Sequence, residues 1–413
     1  MDTVTRRRFL VASGVVGGTA LAAGAGTLTW RELFRTEKLR SGHSTGTLVL
    51  ITLYGGNDGL ATVVPHADPA YRQARGDLAI PGESVLPLDQ TVGLSPSLAA
   101  FKRQFDAGHL AVVRGVGYPK PDRSHFRSMD IWQTADPVQP GNTGWIGRFL
   151  DANRAADSRW AVTFEPVLPP VLAGASKAGA AVTTNGLKLP SGYRTPMLAG
   201  LGRPEEESPL RARAARAFAD LVRVDEMVRG LPEHEETEET EDGMPAATST
   251  GGGKASLAQQ LRLIARCVEA EVAPRVYSAS LGGFDLHADG HEAQLTLLRD
   301  LDKAVGSFLD RMARTPAGRR VVVAVYSEFG RRVRANASDG TDHGTASDMF
   351  LLGVPVRGGL YGAPPSLTDL DDGDLKYTTD FRDVYGTLLA DVLDTDPAQV
   401  LGGWTGRLPE LLH

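Results

Sequence analysis

Nine histidines are spread over 413 residues, and four of them, His125, His287, His291 and His343, fall in short polar segments beside apolar runs. Acids keep them company. Asp285 stands two residues before His287 in LGGFDLH, Asp342 directly precedes His343 in GTDHG, Glu328 sits in SEFGRR, and Asp58 lies in GGNDG. Gathering carboxylates and imidazoles at the ends of apolar segments is costly unless they pair or hold a cation. The candidate metal ligands are therefore Asp58, Asp285, His287, Glu328, Asp342 and His343. Their oxygen and nitrogen donors suit a divalent metal: zinc, manganese, magnesium or calcium. The single cysteine excludes an intramolecular disulfide and every thiolate zinc site.

A second group lies in GYPKPDRSHF, residues 117–126. Ser124 at a strand-to-helix turn has the position of a nucleophile, with Arg123 beside it to bind an anion. His125 or His287, as a neutral imidazole, has the chemistry to protonate a leaving group. Each residue also has a structural reading. Asp58 and Ser124 can cap helices, and Asp285 with His287 can stand at a helix start. His125 and His291 can be first-turn surface residues, Glu328 can pair with Arg331 or Arg332, and Asp342-His343 can form a turn.

What would position these groups is a set of short, nearly continuous apolar runs over 47–53, 110–116, 275–280, 320–326 and 349–352, the pattern of strands buried on both faces. Helical segments alternate with them: 95–108 with Ser95-Pro96 at its start, 208–228, a helix capped by Ser256, 292–312 and 381–393. This alternation predicts an α/β fold, a doubly wound, mostly parallel sheet with helices on both faces. Ligands bind such sheets beyond the carboxyl ends of the strands, which is where the histidines and acids fall.

The composition, 42% hydrophobic and 23% charged, is that of a globular chain. Of the net charge of −6, the run EHEETEETED at 233–242 supplies −7, leaving a body near +1. A near-neutral body gives no electrostatic basis for nucleic-acid binding. The glycines after Leu53 lack both phosphate-loop patterns, which disfavours nucleotide binding. The stretch 232–254, acidic and then MPAATSTGGGK, reads as a disordered surface insertion.

The N-terminus, MDTVTRRRFLVASGVVGG, sets basic residues before a Gly/Ala-rich apolar run and small residues of cleavage-site type. TRRRFL resembles the twin-arginine export signal, which makes the twin-arginine translocase the expected partner. The location expected is periplasmic, cell-envelope or extracellular. The glycines make the run a poor membrane span, so no integral membrane domain is expected beyond the signal. The expected organisation is a signal and linker over 1–40 and a single domain over 41–413.

Seven motifs in fixed order, GGNDGL (55–60), RSHF (123–126), GWIGR (144–148), LGGFDLH (281–287), SEFGRRV (327–333), GTDHG (340–344) and TTDFRDV (378–384), give the chain its resemblance to a known family. It resembles the domain of unknown function 1501 family of exported bacterial proteins, grouped with the alkaline phosphatase and sulfatase superfamily. That resemblance implies an alkaline-phosphatase-like fold and a metal-centred hydrolase of phosphate or sulfate esters. Asp58 would be the first ligand and Ser124 the nucleophile. Asp285 with His287 would form a ligand pair, and Glu328 and His343 would come from the last two loops. The chain has Glu328-Phe329 where superfamily hydrolases often have Asp-His, one imidazole fewer. The substrate expected is a small-molecule or polysaccharide ester; a non-catalytic envelope binding protein on the same scaffold is the alternative.

Overall fold

The computed structural model describes residues 46–181 and 256–413, except 166, 273 and 289. The signal segment, the helix expected over 208–228 and the acidic stretch 232–254 lie outside the described residues.

Strand β1 (Thr47–Leu53) shows why this chain builds a two-faced sheet. Side chains alternate across a strand, and here both sets are apolar: Val49, Ile51 and Leu53 pack into one core, Leu48 and Leu50 into another. Helices α3 (Ala99–Asp106), α6 (Leu257–Glu269) and α7 (Gly290–Met312) cover the first face. Helices α4 (His125–Thr134), α5 (Trp145–Ala152) and α8 (Phe381–Thr387) cover the second. Two short helices, α1 (Gly59–Thr62) and α2 (Pro69–Arg75), follow β1, and α9 (Pro397–Val400) lies near the C-terminus.

Among the described residues the main sheet has nine strands. Around β1 stand β5 (Leu110–Gly117), β6 (Ala161–Thr163), β7 (Ala180–Ala181), β8 (Val276–Leu281), β9 (Val321–Ser327) and β10 (Ser347–Leu352), in the order β5-β10-β9-β1-β8-β6-β7. The outer edge of β5 carries β11 (Gly359–Tyr361) and β14 (Thr379–Asp380) in tandem. Among these described strands, β10 alone runs antiparallel to its neighbours. Its start therefore lies at the same edge as the carboxyl ends of β1, β5, β8 and β9. Strands β2 (Val63–Val64), β3 (Leu86–Pro87) and β4 (Gly93–Leu94) form a small side sheet, and β12 (Leu370–Asp371) pairs with β13 (Asp374–Leu375).

The five long strands agree with the apolar runs to within two residues. Two helices differ from the sequence reading. Residues 95–98 form a turn instead of a first helical turn, and α3 starts at Ala99 because its free N–H groups find a distant acceptor. Asp302 of α7 receives Ala100 N and Phe101 N, both at 2.9 Å. The segment expected over 381–393 is α8 followed by a π-helical turn, Leu388–Val392. Among the described residues, no helix is long and apolar enough to cross a membrane.

Candidate metal centre

The sheet order places the loop after β1 between those after β8 and β9, where ligand sites of parallel sheets form. Gly55, at φ +113°, lets that loop press against its neighbour: a Cβ there would stand 2.5 Å from Asp285 N. Its amide donates to Glu328 Oε1 at 2.8 Å. The β9–β10 loop folds back on itself, with Arg332 N on Asp342 O and Gly344 N on Gly330 O, so that His343 faces Arg331.

Four ring and carboxylate atoms converge there. Asp285 Oδ1 lies 2.9 Å from His287 Nε2, 3.1 Å from His343 Nε2 and 3.4 Å from His125 Nε2. His287 Nε2 and His343 Nε2 are 3.0 Å apart. His125, Asp285 and His343 form a set able to hold one ion, each offering a ligand atom within 4.8 Å of the others. Phe329 walls the cluster, its ring 4.8 Å from that of His125 and 4.9 Å from that of His343.

The opposite edge of two rings is spoken for. His343 Nδ1 lies 2.8 Å from the carbonyl oxygen of Arg123, so it donates. His125 Nδ1 lies 2.8 Å from Glu328 Oε1 and donates to that carboxylate. Behind His287, Nδ1 is 3.5 Å from Asp342 Oδ1. The neutral tautomers so fixed turn bare lone pairs of His125 and His343 toward Asp285 Oδ1, which also carries only lone pairs. Arg331 Nη2 donates to the same Oδ1 from 2.8 Å, yet the two imidazole nitrogens at 3.1 and 3.4 Å still face it lone pair to lone pair, which a cation or a proton among them would relieve. His125 Nε2 is buried and without a hydrogen-bond partner. Metal-bound imidazoles have their other nitrogen tied to a carboxylate or carbonyl in this way. The donor set thus fits a divalent metal, which His125, Asp285 and His343 would hold.

Electrostatics act differently on the three groups. Burial works to raise the Asp285 carboxyl, but the hydrogen bond and charge of Arg331 outweigh it, holding it well below the usual range. Burial, helped by the positive charge of Arg331, lowers His343 and favours its neutral ring. For His125, burial is overcome by the hydrogen bond and charge of Glu328, and its pKa rises.

The remaining candidates are placed elsewhere. Asp58 lies outside the cluster: its carboxylate caps α1 through Leu60 N and pairs with buried Arg75, with Nη2 to Oδ1 at 2.9 Å. Glu328 is behind His125, accepting from that ring, from Gly55 N and, at 3.0 Å, from Ser327 Oγ. Asp342 is exposed and holds Asn336 Nδ2 at 3.1 Å. Ser124 is exposed at the N-cap position of α4, and its hydroxyl makes no capping bond. Arg123 turns away, its Nε 2.7 Å from Asp374 Oδ2 and its Nη2 3.0 Å from Asp372 Oδ2. His291 lines a small cavity beside Asp58.

Two residues escaped the sequence reading. Arg331 is almost wholly buried and binds Gly56 O at 2.7 Å, Thr341 O at 2.8 Å and Asp285 Oδ1 at 2.8 Å, knitting three loops together. Its signal is the SEFGRRV motif, which by sequence offers it only as a partner of Glu328. Glu165, just past β6, is buried with Thr163 and Ser278 near its carboxylate. A lone acid after a three-residue strand gives no periodicity to notice.

Comparison with known proteins adds the following. The chain is similar to a solved structure of an alkaline phosphatase superfamily protein from Vibrio parahaemolyticus, with 8% identity over 88% of this chain and 70% of that one, at a TM-score of 0.42. A phosphonate monoester hydrolase of Agrobacterium radiobacter shares 10% identity over 87% and 78%, at 0.38. The lipoteichoic acid synthase LtaP from Listeria monocytogenes shares 10% over 97% and 80%, at 0.36. Likeness at this level carries no chemistry from one chain to the other. No curated protein matches the sequence. The model of the family described as protein of unknown function (DUF1501) matches residues 197–412, more than half of the chain, and the chain belongs to that family.

Proposed function

We propose that the chain is an exported, metal-dependent hydrolase of phosphate or sulfate esters, delivered by the twin-arginine translocase and acting on a small-molecule or polysaccharide ester. The observation that carries this reading is the convergence of His125 Nε2 and His343 Nε2 on Asp285 Oδ1, with each ring's Nδ1 tied back to Glu328 or to Arg123 O. A divalent cation there would act as a Lewis acid on an ester oxygen and acidify a neighbouring hydroxyl.

The chain's own groups supply the rest. Ser124 Oγ, exposed one residue before His125, attacks phosphorus or sulfur while the bond to the leaving oxygen breaks. The serine proton passes to solvent. His287, whose side chain is about half exposed at the cluster's open side, gives a proton to the leaving oxygen. Water then hydrolyses the seryl ester, releasing the acid and restoring the hydroxyl. Arg331, Glu328 and the Arg123 carbonyl hold the donors in place.

One observation favours the second reading, a non-catalytic envelope binding protein. Arg123 and Arg332 are both engaged with Asp372 and Asp374, so neither guanidinium is free for an ester anion. The test is turnover of aryl phosphate and aryl sulfate esters by metal-loaded protein, beside Ser124→Ala and Asp285→Asn. The hydrolase reading expects turnover lost in both variants. Turnover that survives Ser124→Ala removes the serine nucleophile, and bound metal without turnover of either ester leaves the binding reading.

A further inference from the structure

A cavity of about 530 Å³ shares no lining residue with the candidate metal centre. Its size is that of an ordinary small-molecule site, roughly 300–1,000 Å³. Its lining comes from the 59–68, 89–92 and 360–375 segments, from Arg114 of β5 and from the start of β10. At its base are Arg114 and Asp348, each with a side chain only 9% exposed.

This pair is incompletely used. Arg114 Nε and Gly115 N both donate to Asp348 Oδ1, at 3.1 Å. Arg114 Nη1 and Nη2 make no hydrogen bond among the described residues, although the guanidinium lines the cavity. Ser347 Oγ, in the same wall, is buried without a partner. A buried Arg that spends one of five donors, with a half-used carboxylate and an unpaired hydroxyl, leaves polar groups that water or a ligand must satisfy.

The charge identifies the ligand class. Asp68, Asp89 and Asp348 line the cavity against the single cation Arg114, which disfavours an anion. Pro364, Pro365, Leu360 and Leu367 supply apolar lining. A fork of donors beside a carboxylate matches adjacent hydroxyls, which both donate and accept, and an apolar wall matches the C–H face of a ring. We propose that this cavity binds a neutral glycosyl unit through Arg114, Asp348 and Ser347. The site stands whether or not the metal centre hydrolyses esters.

The test is binding of three neutral trisaccharides, maltotriose, cellotriose and triacetylchitotriose, followed by saturation-transfer NMR and calorimetry at millimolar concentrations. At least one binds the wild-type protein, and binds Asp285→Asn equally, because the metal centre is not involved. The double variant Arg114→Met/Asp348→Leu replaces the ion pair by apolar groups, a change that buried pairs usually tolerate. It binds about tenfold more weakly or not at all. Pro365→Trp adds bulk at a lining residue outside the ion pair, and it abolishes binding even if the double variant fails to fold. Three silent sugars, binding that survives Pro365→Trp, or sulfate bound in place of a sugar would each overturn the proposal.

Discussion

Replacing Asp58 by Ala separates two readings of the first loop acid, metal ligand or structural brace. Its carboxylate neutralises Arg75, whose side chain is 1% exposed, and receives Leu60 N and Ala61 N at the head of α1. Without it, Arg75 is left in the core with the Arg332 carbonyl at 3.1 Å as a remaining partner. Removing one member of a buried pair costs about 3–5 kcal/mol, and losing a helix cap about 1 kcal/mol more. Together that approaches the whole stability of many domains, about 5–15 kcal/mol. Denaturant unfolding of Asp58→Ala should therefore show a loss of about 4 kcal/mol or more. Asp58→Ala/Arg75→Met, which removes both charges, should recover most of it. Calorimetric titration of zinc or manganese into the double variant should give wild-type affinity. Unchanged stability with abolished metal binding would refute this reasoning and make Asp58 a ligand.

Three further outcomes follow from the same geometry. Glu328→Gln keeps a hydrogen-bond acceptor on His125 but removes the charge behind it, so metal affinity falls by about 10–100-fold in calorimetry while the fold persists. Burial pushes the Glu165 carboxyl up to about 7, against the hydrogen bonds of Thr163 and Ser278 that lower it. The folded state thus holds this proton where the unfolded chain has lost it, and stability falls by about 3 kcal/mol as pH rises from about 4.5 to 7. Unfolding curves of Glu165→Gln across that window should be flatter than wild type by this amount. Asp302→Ala leaves Ala100 N and Phe101 N without their acceptor, costing about 1–3 kcal/mol and speeding hydrogen exchange in the first turn of α3.

The central strands were legible because both of their faces are buried, so each appears as an unbroken apolar run. The loops carrying Asp285, His287, Glu328 and His343 were legible as polar interruptions at the ends of those runs, and a parallel sheet brings such ends to one edge. What the sequence hides is which atom faces which. Glu328 stands behind an imidazole because His125, 203 residues earlier, begins the helix opposite it. Asp58 meets Arg75 across two short helices and a two-residue strand, and Asp302 receives the amide of Ala100, 202 residues upstream. Pairings of that kind depend on tertiary packing and leave no local periodicity. The tautomer argument for His343 rests on a backbone carbonyl, which every residue has and no sequence can mark.

Metal content tests the central claim most directly. Wild-type protein and Asp58→Ala/Arg75→Met should each carry about one equivalent of divalent metal per chain by elemental mass spectrometry. Folded Asp285→Asn and His343→Gln should carry none. No metal in folded wild-type protein after equilibration with zinc, manganese, magnesium and calcium, or full loading of Asp285→Asn, would contradict it.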